Sequence, residues 1–271
     1  MCAAFSFLLS SGGEPGVKLL LINGNRTQSV TDTVLAEARL AAAPDTMLTA
    51  VTATFGADIV FSHAGHAVAA HAVLDSLARH HAGFDAAILA ISFDSGLAAA
   101  RELLPIPVLG ITESSLRAAC ATGRRIGIVT FGAASQPLYR DVFALSGMQT
   151  HIAGTRTIDI ASSSQYLAPA QLDASVVAAA NALADEDGAE AVVICGAAVA
   201  GIARRLGGAV RVPLFDGVAS AVREAESLVR AGYRKPARVP GPVSRVTGVA
   251  PELAALFAAA APAATAAQVT E

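Results

Sequence analysis

The sequence predicts an α/β fold of two similar lobes, each a parallel sheet flanked by helices, with a cleft between them. Three observations predict it. Short runs that are apolar throughout, such as VKLLLIN at 17–23 and AEAVVIC at 189–195, fit strands buried on both faces. Longer helical patterns separate them, as a parallel sheet requires. The succession of strand, small-residue turn, helix and Pro-flanked strand occurs twice: DAAILAIS to PIPVLGI, then AEAVVIC to VRVPLFD.

In chain order, 17–23 is a strand and 31–43 the helix after it. MLTAVTATF at 47–55 is strand-like, and 66–81 is helical. DAAILAIS at 85–92 is a strand, and 95–104 a helix that ends before Pro105 because proline cannot continue it. A short strand at 108–110 leads to a helix over 113–122, stopped by Gly123. RIGIVT at 125–130 is a strand. The helix over 137–146 has Gly147 just past its end, where a left-handed helix stop is expected. A short strand at 149–154, a helix over 172–186, the strand to Cys195, a helix over 197–206, a strand at 210–215 and a helix over 218–231 complete the pattern. The expected organisation is a leader over 1–16 without fixed structure, a first lobe of 17–112 plus 218–256, a second lobe of 113–217, and a disordered alanine-rich tail over 257–271.

Composition narrows the function classes. The chain of 271 residues is 54% apolar, enough to bury a large core, but only 5% aromatic and without tryptophan, so the core is aliphatic. A net charge of −3 and only small basic clusters argue against a nucleic-acid partner. The apolar runs fall far short of the roughly 20 residues of a membrane span. Residues 1–11 lack the basic start of a signal peptide. A cytoplasmic protein binding a small molecule is the expectation. Three cysteines without CxxC spacing exclude a disulfide framework, and the histidines at 63, 66, 71, 80 and 81 have no ligand spacing, so no metal site is expected. The glycines show neither a dinucleotide nor a P-loop pattern.

In parallel sheets ligands bind beyond the carboxyl ends of the strands. Ser92 and Cys195 occupy the corresponding turns of the two halves, which brings them to opposite walls of one cleft. Cys195, followed by Gly196 and an expected helix, admits two readings. A helix N-terminus lowers a thiol's pKa from about 8.5 and makes it an acid–base group; a small buried hydrophobe is the other. The loop at 23–27, with Asn25, offers amide and hydroxyl groups to an oxygen, or only turn capping, and Thr130 after RIGIV raises the same choice. Asp94 and Asp216 are expected to hold turns, and Cys120 to be core.

Six segments in the same order together resemble the hydantoin/allantoin branch of the aspartate/glutamate/hydantoin racemase superfamily. They are LLLINGNRTQSVT, ISFDSGLAAARELLPIPVLGITES, RRIGIVTF, AVVICGAAVAGIA, VPLFDGVASAV and GYRKPARVPGPVSRVTGVAPELAAL, spanning about 17–256. The resemblance implies proton exchange beside a carbonyl between two cysteines, without cofactor, on a small-molecule substrate, in a homo-oligomer. Carried over, the second cysteine is Cys195 and the first is replaced by Ser92, with Asn25, Phe93, Thr130 and Gly196 lining the substrate. Because serine is a far weaker acid and base than a thiol, alternatives stay open. They are a one-cysteine decarboxylase of the arylmalonate type, a cis-trans isomerase of the maleate type, and a non-catalytic binding protein of the same fold.

Overall fold

The computed structural model describes residues 16–123, 125–233, 235 and 246–259. Two four-stranded parallel sheets form it. The first contains β1 (Lys18–Asn23), β2 (Met47–Thr52), β3 (Ala86–Leu89) and β4 (Val108–Gly110); the second contains β5 (Ile126–Phe131), β6 (Ile152–Ile158), β7 (Ala191–Ile194) and β8 (Leu214–Asp216). Their orders, β2-β1-β3-β4 and β6-β5-β7-β8, are the same. The helices are α1 (Gln28–Ala41), α2 (His63–His80), α3 (Leu97–Leu103), α4 (Ile111–Cys120), α5 (Gln136–Leu145), α6 (Ser163–Tyr166), α7 (Asp173–Asp187), α8 (Ile202–Leu206), α9 (Gly217–Arg230) and α10 (Pro251–Ala259).

Alternation along the strands divides the core. Leu19 and Leu21 face α1 and α9 through Val30, Val34, Val218 and Val222, in a buried cluster that continues into the second sheet at Val129 and Ile194. Leu20 and Ile22 face Val73 and Leu77 of α2 in a second cluster, which also holds Val193 and Cys195. Both clusters cross from one sheet to the other. Each fully buried leucine contributes about 1.5–3 kcal/mol of transfer free energy, so the apposition of the sheets rests on these shared faces.

Several expectations shift. Residues 197–206 are not one helix: a 3-10 turn, Ala197–Val199, precedes α8. Gly201 breaks the run at φ +84, and a Cβ there would lie 2.6 Å from Glu37 Oε2. The strand expected at 149–154 is β6, at Ile152–Ile158, and it is an edge strand of mostly half-buried residues, so its polar TRT sequence carries little strand signal. The tail expected to be disordered from 257 instead continues α10 to Ala259, with Leu253 and Leu256 buried against α2 and Phe257 beside them. The expectations for 1–15 and 260–271 lie outside the described residues. Among the described residues no helix is long and apolar enough to cross a membrane. The histidines along α2 have separate partners, among them Asp141 for His63 and Ser95 for His66.

Candidate active site between the sheets

The turn after β3 is held by Asp94, buried and at φ +48, a left-handed conformation rare outside glycine. Its carboxylate accepts the N–H groups of Thr112 at 3.0 Å and Glu113 at 2.8 Å, and so caps the start of α4. Gly110 makes room, because a Cβ there would lie 2.3 Å from the Asp94 carboxyl carbon. Thr112 Oγ1 donates to the Ser92 carbonyl at 2.6 Å. Asp216 does the same work for α9, accepting the Ala219 N–H at 3.1 Å. Both aspartates are therefore structural, as their turn positions suggest. Asn25 Oδ1 accepts from Asn23 Nδ2 at 3.0 Å and from the Thr27 N–H at 2.9 Å, which leaves its amide nitrogen to offer.

Across from Ser92 stands the turn after β7. Gly196 adopts φ +135, and a Cβ there would lie 2.4 Å from the Tyr166 hydroxyl oxygen. The Ala197 N–H donates to Ser92 Oγ at 3.2 Å, so the two turns meet directly. Strand pairing also refines the correspondence of the halves. β1 pairs with β3 as β5 pairs with β7, which matches Ala86 to Ala191 and carries Ser92 onto Ala197 rather than onto Cys195.

Where the turns converge is a cavity of about 20 Å³, room for about one water. Asn25, Ser92, Phe93, Tyr139, Tyr166 and Ala197 are among its walls. Cys195, Gly196 and Thr130 are not. Cys195 is buried beneath it in the second core cluster. Thr130 Oγ1 shares a hydrogen bond with Thr157 Oγ1 at 2.8 Å, a pairing across β5 and β6 that a linear sequence does not display. A larger pocket of about 490 Å³ lies between α3 and α5, with Asp94 at its edge. The smaller cavity is the candidate site because both strand-end turns reach it.

Electrostatics reverse the expectation for the thiol. Burial, and then the Asp94 carboxylate, push Cys195 well above the usual thiol range. A 3-10 turn and a five-residue α8 stand where a longer helix was expected. Burial raises Tyr139 well above its ordinary value and Tyr166 to about 12. Asp94 is raised to about 7, by burial first, against the two N–H groups it accepts. None of the residues lining the cavity is an ionised side chain at neutral pH.

Sequence reasoning missed both tyrosines. Tyr139 falls on the apolar face of α5 and reads as core, stacked at 5.7 Å on Phe143. Tyr166 ends the polar run SSSQY, where nothing local marks it, and only folding sets it against Phe131, Phe61 and Gly196.

Comparison with known proteins agrees with this architecture. The hydantoin racemase of Rhizobium meliloti is 32% identical over 214 residues, covering 79% of this chain and 89% of the relative. The crystal structure of allantoin racemase from Pseudomonas fluorescens superposes with a TM-score of 0.77 at 31% identity, over 85% of this chain and 100% of that one. Allantoin racemase from Klebsiella pneumoniae gives a TM-score of 0.75 at 30% identity, over 84% and 96%. The family model described as Asp/Glu/Hydantoin racemase matches residues 19–225, both sheets and the turns that meet at the cavity. By fold, turn placement and sequence alike, the chain belongs to the Asp/Glu/Hydantoin racemase family.

Proposed function

We infer that this protein is a cofactor-independent isomerase, a racemase or epimerase that moves a proton beside a carbonyl of a small hydantoin-like or amino-acid-like substrate. The observation that carries the reading is the contact between Ser92 and the Ala197 N–H, which brings a hydroxyl and a main-chain donor from different sheets to one point. Such donors stabilise the enolate oxygen that forms when the carbon-bound proton leaves. Cys195 is assigned as the acid–base thiol, and Ser92 as its weak counterpart across the turns. Asn25 and Phe93 line the substrate, with Gly196 allowing main chain to approach it.

Two features bear on mechanism. A 20 Å³ cavity does not hold a five-membered ring, so binding requires its walls to part, and Cys195, buried and outside that lining, acts on substrate only if it too becomes accessible. In the resting state burial keeps the thiol protonated, so Cys195 begins as a proton donor. The neutral cavity also favours a second reading, a one-cysteine decarboxylase, because loss of CO2 generates a carbanion without any base.

The test is proton NMR in D2O with single enantiomers of 5-substituted hydantoins, allantoin, aspartate and glutamate, together with phenylmalonate. Deuterium entering the stereocentre with loss of optical rotation, abolished in Cys195→Ala, is the expected result. Release of CO2 from the malonate without racemisation would replace the first reading with the second. Unchanged kinetics in Cys195→Ala would remove the thiol from the mechanism.

A further inference from the structure

The racemase reading leaves one chemical gap: Ser92 stands where a second proton carrier is needed, and an aliphatic hydroxyl is a poor one. Tyr166 lies within reach of it. Its ring is buried, packed at 5.6 Å from Phe131 and 5.9 Å from Phe61, while its hydroxyl end lines the cavity with Ser92. The hydroxyl oxygen sits so close over Gly196 that no side chain fits there. Burial raises Tyr166 first, and against it the Ser92 side chain and the Ala198 N–H favour the ionised phenol. Tyr139 also faces Ser92, but it lacks the main-chain donor and is the harder of the two phenols to ionise.

We propose that Tyr166 is the second acid–base residue of this cavity, with Ser92 and the Ala198 N–H as the groups that position and stabilise its oxygen. The proposal rests on the racemase reading. In the protonating direction the Tyr166 O–H bond breaks and its proton forms the new C–H bond on the substrate carbanion. The negative charge passes from the enolate to the phenolate oxygen, where the two donors hold it. In the abstracting direction the phenolate takes the proton and the electron pair returns to the enolate. Tyr139 stays protonated throughout and serves as a hydrogen-bond donor. The titratable groups around the Tyr166 oxygen are Cys195 and Tyr139, each harder to ionise at neutral pH than in water.

The experiment follows deuterium exchange and optical rotation for one enantiomer of a 5-substituted hydantoin, in wild type, Tyr166→Phe, and a protein carrying 2,3-difluorotyrosine at 166. Tyr166→Phe is expected to lower kcat by about 100-fold or more, the usual worth of a general acid or base, with KM within about threefold. The fluorinated phenol is more acidic and keeps the ring, so the rising alkaline limb of the rate profile should move to lower pH by the change in phenol acidity. A purely structural tyrosine would leave that limb in place. Exchange retained within about tenfold in Tyr166→Phe, or an unmoved limb, overturns the proposal and spares the racemase reading. No exchange by wild type on any substrate of the panel overturns both.

Discussion

Gly196→Ala probes the meeting of the two turns most sharply. The backbone at 196 has φ +135 and ψ 125, a region that residues with a Cβ occupy only under strain of about 1–3 kcal/mol. The added methyl would also lie 2.4 Å from the Tyr166 hydroxyl oxygen and 3.0 Å from Val199 Cγ2, an overpacking that costs a further 1–3 kcal/mol or so. Together these come to roughly 2–6 kcal/mol, a large share of the stability of a typical domain. The two contributions separate in a double-mutant cycle with Tyr166→Phe. Once the hydroxyl is gone, the nearest ring carbon, Cζ, lies 3.5 Å from the added methyl, ordinary van der Waals contact. The cost of Gly196→Ala should therefore fall by the Tyr166 share of that overpacking, about 1–2 kcal/mol, in the Tyr166→Phe background, leaving the backbone strain and the Val199 contact. Urea unfolding of the four proteins, with equal slopes required, measures this coupling. Additivity within about 0.5 kcal/mol would mean that Tyr166 does not cover Gly196, and the site described above would be wrong.

Three further outcomes follow from the electrostatics and packing. Asp94 has a folded-state pKa raised to about 7 from 3.8, so the folded protein binds the extra proton between those values. Its contribution to stability is therefore greatest below about pH 4 and is lost as pH rises to 7, and wild type should lose stability relative to Asp94→Asn over that window. A difference between the two that is flat with pH from about 4 to 8 would refute the raised value. In alkylation at about pH 8, Cys120, which is only partly buried, should react well before Cys195, and Cys195 should react only as urea opens the fold; rapid native labelling of Cys195 would contradict its burial. Thr130→Val should cost about 1 kcal/mol through the lost Thr157 partner and leave KM unchanged, whereas a large rise in KM would return Thr130 to the substrate.

The α/β class, the parallel strands and most of the helices were legible in the amino-acid order alone, because those features are written locally; the short α6 and the terminal α10 were not. A strand buried on both faces must be apolar throughout, and α1, α2, α4, α5, α7 and α9 begin or end within a few residues of their caps and breakers. The turns that follow β3 and β7, singled out in the sequence, lie side by side in the fold. Where a signal is weak or spread along the chain, the reading faltered. The polar edge strand β6 carries half a hydrophobic pattern, and the interruption at Gly201 depends on Glu37 approaching from α1.

Which groups share the cavity is settled by packing between distant segments. Strand pairing, not the linear repeat, carries Ser92 onto Ala197, two residues beyond Cys195, and Cys195 packs into the core just past the end of β7. Thr130, which by sequence could bind an oxygen or only end a strand, shares a hydrogen bond with Thr157 in space. Tyr166 arrives from a short helix with no local mark of function, and its place beside Gly196 comes from the closure of distant segments over one another. Local sequence sets backbone class through propensity and burial pattern. The chemistry of the site depends on long-range register, which is fixed only when both sheets pack against their shared core.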